Sequence, residues 1–490
     1  MGLKVWKDED SHKEGTVVSD IPQSYYTNNT KGRAFTWKEV AKRNTIDNAW
    51  IIVRGSVYDI TKFAAKHPGG RDMILLGAGR DATQARRVFE TYHDPAKVAK
   101  VLEYVTANDN LSKYHIGYTT DAELPTFPKP SAFNVTLRKR ISQYFKDTRQ
   151  DAKFHPINLL KYFIIYASIA ISYYLQFYNP TVVNSNILSL LCAIVLGVGC
   201  AQIGLMPMHD SSHASISHSS TLWWTLGSTH DFLNGASFMV WIYQHMFGHH
   251  PYTNIAGADP DVAVGDPDVR RIVTKQQWFS HYTYQHIWVP IAYAFLGMKV
   301  RIQDITILFV HKKLDQIRIN PVLPHQAALF WGGKAFFVVY RILMPYLLGN
   351  SSAGRVFLLF IVADAISSYW LALMFQANHV VTDVKWPQPD ENNAMHIDWA
   401  EMQVETTQDY QHGSTLWANL SGSLNYQAVH HIFPNINQSY YPELAPIVKN
   451  TAAEFGIRYR IKDTFMEAFI GHIDYLREMG SQPPVAKAAN

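Results

Sequence analysis

The chain has 490 residues, with 44 lysines and arginines against 40 aspartates and glutamates, and its formal net charge of +4 is too small to indicate a nucleic-acid partner. Hydrophobic residues make up 47% and charged residues 17% of the chain, which excludes an intrinsically disordered or collagen-like protein. The length predicts at least two domains, and the two cysteines, Cys192 and Cys200, lie in one apolar run, which excludes a disulfide framework.

The N-terminal quarter of the chain has the pattern of a tail, a small domain and a linker. Residues 1–30 are polar and lack the apolar stretch of a secretory signal, which predicts a flexible tail on the cytosolic side. Residues 31–119 alternate strand-like runs with helical ones, which is typical of a small α+β domain. Residues 120–135 contain three prolines between Pro125 and Pro130 and predict an extended linker.

Residues 136–475 have the composition of an all-α membrane domain, and residues 476–490 are expected to form a C-terminal tail. A bilayer core about 30 Å thick needs roughly 20 apolar residues per helix. Two segments contain no charged residue, and two further segments are nearly as apolar. They predict four transmembrane helices, near residues 162–178, 187–206, 327–348 and 356–375.

Charged residues within and around these segments bear on their environment and orientation. Lys334 and Arg341 lie in the third segment and Asp364 in the fourth, and the two cations either snorkel to the membrane surface or face a cavity. Basic residues precede the first segment and fill the loop between the second and third, whereas the two short connecting loops have none. The positive-inside rule therefore predicts that both termini and the middle loop are cytosolic, in an endoplasmic reticulum membrane.

A possible haem site lies in the N-terminal domain. His67 is followed by Pro68-Gly69-Gly70, and His93 comes 26 positions later. Two histidines on opposed elements are what a haem iron with two imidazole ligands needs, although a histidine before Pro-Gly is often only a turn residue. Residues 36–117, with WIIVRGSVYDITKFAAKHPGG and YHDPAK, resemble the cytochrome b5 family. That resemblance implies haem b with His67 and His93 as axial ligands, and an electron donor.

Seven other histidines form three clusters near the ends of the apolar segments. The clusters are His209 and His213, then His245, His249 and His250, and finally Gln427 with His430 and His431. Residues four apart share a helix face, so His209 should pair with His213 and His245 with His249, whereas His250 points about 100° away toward a second centre. Repeated imidazole pairs favour a transition-metal site. The clusters can meet only if an even number of spans separates the second from the third.

The motifs HPGG, HDSSH, HMFGHH and QAVHH, in this order, resemble the front-end membrane fatty acyl desaturases, which carry an N-terminal cytochrome b5 domain. The resemblance implies an oxidoreductase with a di-iron centre, O2 as co-substrate, and the seven histidines as catalytic metal ligands. It also implies a further ligand, for which His379 is the matching residue, while Gln427 is either a ligand or a partner of one. Electrons are expected from an NADH–cytochrome b5 reductase, and membrane lipid surrounds the substrate.

The substrate is indicated only by resemblance. The segments YQHMFGHHPYTNIAGADPDV and WAEMQVETTQDY are similar to fungal-type Δ5 desaturases, which implies a C20 polyunsaturated acyl chain and a reaction of the dihomo-γ-linolenate to arachidonate type. A Δ6 fatty acyl desaturase, a Δ8 sphingolipid desaturase and a hydroxylase remain alternatives on the same scaffold. The acyl carrier, a CoA thioester or a phospholipid, is left open.

Several polar residues outside the clusters have two interpretations. Asp259 and Asp261 either orient ligand imidazoles or begin a turn at Pro260, and the turn is the preferred interpretation. Six further histidines are expected to be structural or surface groups, with His230 the leading exception. They are His218, His230, His281, His286, His325 and His412.

Overall fold

The computed structural model describes residues 32–67, 69–84, 114–263, 268–349 and 351–481. The described residues form a small α+β domain with a five-stranded sheet, followed by a helical domain with four long apolar helices. This architecture confirms the fold class predicted from the sequence. His93 lies outside the described residues.

The sheet of the N-terminal domain separates two apolar clusters. Its strands, in the order β1-β5-β4-β3-β2, are β1 (Arg33–Phe35), β2 (Asn44–Thr45), β3 (Asn48–Val53), β4 (Ser56–Asp59) and β5 (His115–Thr119). Strand β1 runs parallel to β5, and the other neighbours are antiparallel. Side chains alternate along β3, because successive residues of a strand face opposite sides. Ala49 and Val53 pack on one face, and Trp50 and Ile52 pack on the other. The helices of this domain are Trp37–Ala41, Thr61–Ala64 and Arg71–Leu76.

Four helices are long and apolar enough to cross a membrane, which confirms the predicted number. Local signals set their starts: Pro156 and Ser185 precede the first two, Pro324 opens the third, and Ser352 caps the fourth by accepting a hydrogen bond from a backbone N–H. The first and fourth extend beyond the apolar segments seen in the sequence. The four are Ile157–Tyr178, Asn186–Ser212 with a break before Pro207, Pro324–Leu347 and Ala353–His379.

Shorter helices complete the second domain and carry most of the polar side chains. A second apolar core packs Ala132–Thr148 against Tyr441–Glu454 beside the histidine-bearing helix Gln427–Ile432. The remaining α-helices are Pro180–Val183, Ser220–Leu233, Phe238–Ile242, His250–Tyr252, Gln285–Ala292, Leu296–Ile305, Trp399–Glu405, Thr415–Leu420 and Phe465–Gly480. Short strands pair as Lys313–Leu314 (β6) with Ile317–Arg318 (β7), and Asp409–Tyr410 (β8) with Ile461–Lys462 (β9).

The two cations of the third span face the protein interior. Lys334 Nζ lies 2.8 Å from Asp304 Oδ2 and also donates to the Gly235 carbonyl at 2.7 Å. Arg341 is buried and lines an internal cavity. The cavity-facing interpretation is observed for Arg341, whereas Lys334 turns inward to polar partners inside the domain.

The β6–β7 hairpin and the residues after it hold the N-terminal domain against the membrane domain. Asn320 Nδ2 donates to the carbonyls of Leu75, Leu76 and Ala78 at 2.7, 3.3 and 3.0 Å. These carbonyls lie at the C-terminal end of the helix Arg71–Leu76, where the Leu75 carbonyl also accepts from the Ala78 backbone N–H at 3.1 Å. One amide of the membrane domain therefore caps a helix of the N-terminal domain.

We expect Asn320→Ala to loosen this contact. Three buried carbonyls lose their side-chain donor, and an unsatisfied buried group costs about 1–3 kcal/mol. Hydrogen–deuterium exchange should become faster in the peptide spanning residues 71–80. Asn419→Ala is the control, because the Asn419 amide bonds a carbonyl of its own helix. Equal exchange rates in the wild type and Asn320→Ala would contradict the capping role.

Candidate metal centre

Four buried histidines from three parts of the chain form the first group of possible ligand atoms. His209 and His213 lie one turn apart after Pro207, and their ring centroids are 4.7 Å apart. His245 Nε2 lies 3.1 Å from His209 Nε2, and the His430 ring centroid lies 4.7 Å from that of His209. One nitrogen from each of the four histidines lies within 4.8 Å of the others, which is close enough to surround one ion.

A second group lies directly beside the first. It combines His249, His379 at the end of the fourth span, and His431, again with one nitrogen from each within 4.8 Å of the others. His250 lies between the groups, because it shares a cluster with His430 and His431 and its Nε2 is 3.1 Å from His245 Nε2. The structure thus brings together the seven histidines of the three sequence clusters and His379.

A π-helix affects the pairing expected within the second histidine cluster, which contains His245, His249 and His250. Residues Tyr243–His249 form a π-helix, whose wider turn carries hydrogen bonds between residues five apart. His245 Nε2 lies 3.1 Å from His250 Nε2, and the expected pairing of His245 with His249 is also observed, because their rings stack with centroids 5.6 Å apart and their ligand nitrogens lie within 4.8 Å of each other. His249 also approaches His379 and His431, with ring centroids 4.8 and 4.9 Å away.

Asp259 has both roles considered from the sequence. Its carboxylate lies 3.0 Å from His249 Nδ1, and it also accepts from the Asp261 backbone N–H at 2.9 Å, at the start of the short helix Pro260–Val262. The preferred turn at Pro260 is confirmed, and the orienting role is present beside it. Burial by itself would lower the pKa of His249, but the nearby Asp259 and Asp261 carboxylates outweigh it and raise the pKa to about 9. The bond at Nδ1 orients Nε2 toward the other histidines.

The histidines of the third cluster, His430 and His431, and His379 of the fourth span are oriented in the same way. Each has Nδ1 near an oxygen atom, which leaves Nε2 with the lone pair that a metal needs. These contacts join His431 to Gln403 Oε1 at 2.8 Å, His379 to the Thr406 carbonyl at 3.3 Å, and His430 to the Tyr441 hydroxyl at 3.3 Å. Gln427 lies next to this group, with its Nε2 2.9 Å from His379 Nε2 and its Oε1 accepting from Asn378 at 3.0 Å.

The donor set fits a pair of transition-metal ions. Among the described residues, several buried imidazole nitrogens have no hydrogen-bond partner, although leaving such an atom unsatisfied costs about 1–3 kcal/mol. They are both nitrogens of His213, Nδ1 of His209, His245 and His250, and Nε2 of His430 and His431. Burial, followed by repulsion from neighbouring rings, lowers the pKa of His213, His245, His250, His430 and His431 well below the ordinary value. Neutral, unsatisfied imidazoles are the form that ligates iron, zinc or copper.

We expect Asp259→Asn to weaken metal binding about 10–100-fold, the usual cost of removing a carboxylate that orients a ligand histidine. The amide is neutral and loses the charge-assisted contact with His249 Nδ1. Metal titration of the purified chain, followed by elemental analysis, measures the effect. Asp261→Asn is the matched control with a smaller expected loss, because Asp261 lies farther from the same nitrogen, at 3.6 Å. An equal loss in both variants would contradict a specific role of Asp259.

The N-terminal domain presents His67 in a form that fits haem ligation. Its Nδ1 lies 3.0 Å from the Gly70 carbonyl, so Nδ1–H donates and Nε2 remains the ligating atom. A Cβ atom at Gly69 would lie 2.9 Å from Cε1 of the His67 ring, so glycine is needed beside the imidazole. The expected second ligand, His93, lies outside the described residues.

The histidines expected to be structural lie outside the metal-binding groups. His230 is buried and contacts Asn234 through Nδ1 at 3.0 Å, and burial, followed by nearby Lys334 and Arg301, lowers its pKa to about 3. His286 is not part of either metal-binding group. The others have partners elsewhere: His218 with Asp151, His281 with the Asp268 carbonyl, His325 with Asp72 and His412 with Asp409.

A cavity of about 580 Å³ connects the metal-binding groups with the interior of the spans. His249 and His379 line it on one side, and residues such as Leu371 and Phe337 continue its wall between the helices. Its size and mostly apolar wall are typical of a small-molecule site. Its charged lining residues are Arg270, Lys299, Arg301 and Arg341, together with Asp261, Asp268, Asp304 and Asp364.

A small α+β domain, four membrane helices and a buried set of histidines together define a membrane metalloenzyme with an electron-carrier domain on the same chain. Residues 36–120 match the cytochrome b5-like haem/steroid-binding domain, and residues 185–462 match the fatty acid desaturase model. The chain belongs to the fatty acid desaturase family and is a front-end desaturase fused to a cytochrome b5 domain.

Relatives align over most of their length. The chain is 51% identical over 453 residues to the acyl-lipid (8-3)-desaturase of Mortierella alpina, covering 92% of this chain and 98% of that protein. It is 38% identical over 471 residues to the Delta(5) fatty acid desaturase A of Dictyostelium discoideum, covering 94% and 98%. It is also 31% identical over 372 residues to the sn-1 linoleoyl-lipid 6-desaturase of Arthrospira platensis, covering 74% and 97%. An oxidoreductase acting on acyl lipids follows from family membership.

Proposed function

We propose that the protein inserts a cis double bond at Δ5 of a C20 polyunsaturated acyl chain, as in the conversion of dihomo-γ-linolenate to arachidonate. The observation that carries the proposal is the 51% identity, over nearly the whole chain, to a protein named an acyl-lipid (8-3)-desaturase. If the name refers to carbon positions, the new bond lies three carbons from an existing Δ8 bond toward the carboxyl end, which is Δ5. The Delta(5) relative, 38% identical, supports the same position.

The proposed metal centre holds two iron ions. His209, His213, His245 and His430 would hold one ion, and His249, His379 and His431 the other, with His250 between them. When bound, the two irons supply the O2-derived oxidising power that removes hydrogen from an unactivated methylene, which acid–base side chains cannot do. Asp259 and Gln403 orient the ligand rings, and Gln427 is proposed to position His379 rather than to bind a metal ion.

His67 and His93 are proposed as the axial ligands of haem b in the cytochrome b5 domain. Two imidazoles leave the haem iron no open position, so this domain would carry electrons rather than react with O2. We propose that an NADH–cytochrome b5 reductase reduces it from outside, one electron at a time, and that two electrons are used for each double bond. The proposed location is the endoplasmic reticulum membrane with both termini in the cytosol, because the basic residues flank the spans on one side.

Two cations that line the cavity, Arg270 and Lys299, support the proposal that oxidation occurs near the carboxyl end of the substrate. Arg270 donates to Gln376 Oε1 at 2.5 Å, and Gln376 precedes His379 by one helical turn. Lys299 is close enough to Arg270 and Asp261 to interact with both charges. We propose that these cations hold the polar end of the acyl substrate, a CoA thioester or a phospholipid. Its distal carbons would then extend along Leu371 and Phe337.

Feeding experiments test the regioselectivity. The chain is expressed in a host that lacks long polyunsaturated acids, and dihomo-γ-linolenate and linoleate are supplied separately. We expect a new Δ5 bond in the C20 acid only, located by mass spectrometry of derivatised products. A Δ6 product from linoleate alone would support the second candidate, which the 31% identity to a linoleoyl-lipid 6-desaturase favours. A Δ8 bond in sphingolipid bases, or a hydroxylated acid, would also overturn the Δ5 assignment.

A further inference from the structure

The loop that carries His67 lies against a helix of the membrane domain. A cleft at this contact is lined by Gly70 and Arg71 from one domain and by Ser220 and Trp224 from the other. A Cβ atom at Gly70 would lie 3.8 Å from Ser220 Oγ, so the Ser220 side chain lies close to this loop. The apolar core of the membrane domain continues across the contact, because Leu76 belongs to the same cluster that Trp224 packs against.

Trp224 contacts an aromatic ring deeper in the membrane domain. It packs edge-to-face on Phe238, with ring centroids 5.6 Å apart and an interplanar angle of 85°. Phe238 is 2% exposed and lies directly against Gly227, where a Cβ atom would come within 2.3 Å of the ring. Glycine at this position therefore lets the Phe238 ring sit against the helix Ser220–Leu233 that also carries Trp224.

A second tryptophan continues this row to the metal ligands. Trp241 follows Phe238 by three residues in the helix Phe238–Ile242, so the two side chains are neighbours on one helix face. Its indole stacks on the His245 ring, with centroids 4.4 Å apart and an interplanar angle of 24°. The indole N–H donates to Ser212 Oγ at 3.3 Å, which fixes the ring in the stacked position.

We propose that Trp224, Phe238 and Trp241 form the path by which electrons pass from the His67 side of the haem domain to the His245 side of the metal centre. The proposal rests on the proposed function. Each transfer moves one electron: ferrous haem iron becomes ferric and one ferric non-haem iron becomes ferrous, with no bond made or broken. The NADH-dependent reductase restores ferrous haem. Trp224 contacts Phe238 and Trp241 contacts His245 through their rings, and the helix Phe238–Ile242 joins the two pairs, so the row bridges the two sites.

A second possible electron path crosses the same contact between the two domains. The Arg80 guanidinium lies 5.2 Å from the ring centroids of both Tyr243 and Phe247, which flank His245 along the chain. The Arg80 guanidinium is joined to its backbone by three saturated methylene carbons, whereas Trp224 presents an indole ring at the domain contact. The aromatic row offers a more continuous medium, and we therefore assign the path to Trp224 rather than to Arg80.

Haem re-oxidation in the full-length, haem-loaded and iron-loaded protein tests this path. The haem is reduced with NADH and reductase, and the protein is then mixed with O2 and substrate while the haem absorbance is followed. We expect Trp224→Leu to re-oxidise several-fold more slowly, with an unchanged haem reduction potential, iron content and rate of reduction by the reductase. Trp224→Phe should recover most of the wild-type rate, because it restores a ring at the same place.

A control variant and a sample without non-haem iron distinguish slower electron transfer from damage to the fold. Trp223→Leu removes an adjacent indole that is more deeply buried and whose N–H donates to the Ser217 carbonyl, and we expect the haem of this variant to re-oxidise at the wild-type rate. Equal rates in Trp224→Leu and the wild type, or equal slowing in both leucine variants, would overturn the path. So would a wild-type rate that is unchanged when the non-haem iron is removed. Rapid re-oxidation without any desaturated product would count against the proposed function and leave the path intact.

Discussion

His250→Ala is expected to lower desaturation at least about 100-fold and to remove non-haem iron, while the haem spectrum stays unchanged. Loss of a residue that merely orients a ligand already costs about 10–100-fold. His250 contacts both groups of histidines, with its Nε2 3.1 Å from that of His245 and its ring stacked on His431 with centroids 4.4 Å apart. Removing this imidazole therefore disturbs both proposed ion positions.

Elemental analysis of iron per haem and chromatographic analysis of acyl products give the two readouts for His250→Ala. His218→Ala is the control, because His218 is an exposed histidine that pairs with Asp151 outside the metal-binding groups. It should keep both iron and activity. A His250→Ala protein with full iron content would contradict the central position of this residue, and one with full activity would contradict the proposed ligand set.

The sequence predicts the large features of this fold for simple physical reasons. Apolar length is enough to identify the membrane helices, because a bilayer demands about 20 apolar residues whatever the rest of the fold does. Alternating runs identify the small α+β domain, because period-2 burial in a strand such as β3 is a local property. His209 and His213 also follow the α-helical rule, since four residues separate them in one helical turn.

The second histidine cluster shows where these local rules are not sufficient. The pairing of His245 with His250 depends on a π-helix, and no periodicity in the sequence distinguishes a turn with i→i+5 hydrogen bonds from an ordinary α-helical turn. Asp259 is ten residues from His249, and Gln403 is 28 residues from His431. Contacts of this kind are set by tertiary packing, so the sequence could suggest Asp259 as an orienting group but could not choose it over a turn.

The sequence could not show which way the charged residues of the third and fourth spans point, because their partners are also set by tertiary packing. Lys334 finds Asp304 30 residues earlier in the chain, and Asp364 finds Arg301 63 residues earlier. Hydropathy treats each of these charges as a penalty, whereas the fold pairs each of them with an opposite charge that lines the cavity. Whether such a residue snorkels or turns inward depends on a partner that hydropathy does not reveal.

Removal of Asp364 alone should be among the most destabilising single changes in the membrane domain. The Arg301 guanidinium donates to both Asp364 oxygens, at 2.7 and 2.6 Å, and also to the Asn234 carbonyl at 3.0 Å. In Asp364→Leu the cation keeps the Asn234 carbonyl and the Phe337 ring as close partners, and removing one partner of a largely buried pair costs up to about 3–5 kcal/mol. We expect a clearly lower Tm in detergent, measured by the loss of helical circular dichroism.

A double variant distinguishes the cost of the unpaired charge from the loss of the contact itself. In Arg301→Met with Asp364→Leu both charges are gone, and apolar replacement of a whole buried pair is often neutral. We expect most of the lost Tm to return. The exposed pair of Arg477 and Asp474 is the comparison, because removing one partner there should cost no more than about 1 kcal/mol. A double variant as unstable as Asp364→Leu would mean that the ion pair itself, rather than the avoidance of a lone buried charge, stabilises the cavity wall.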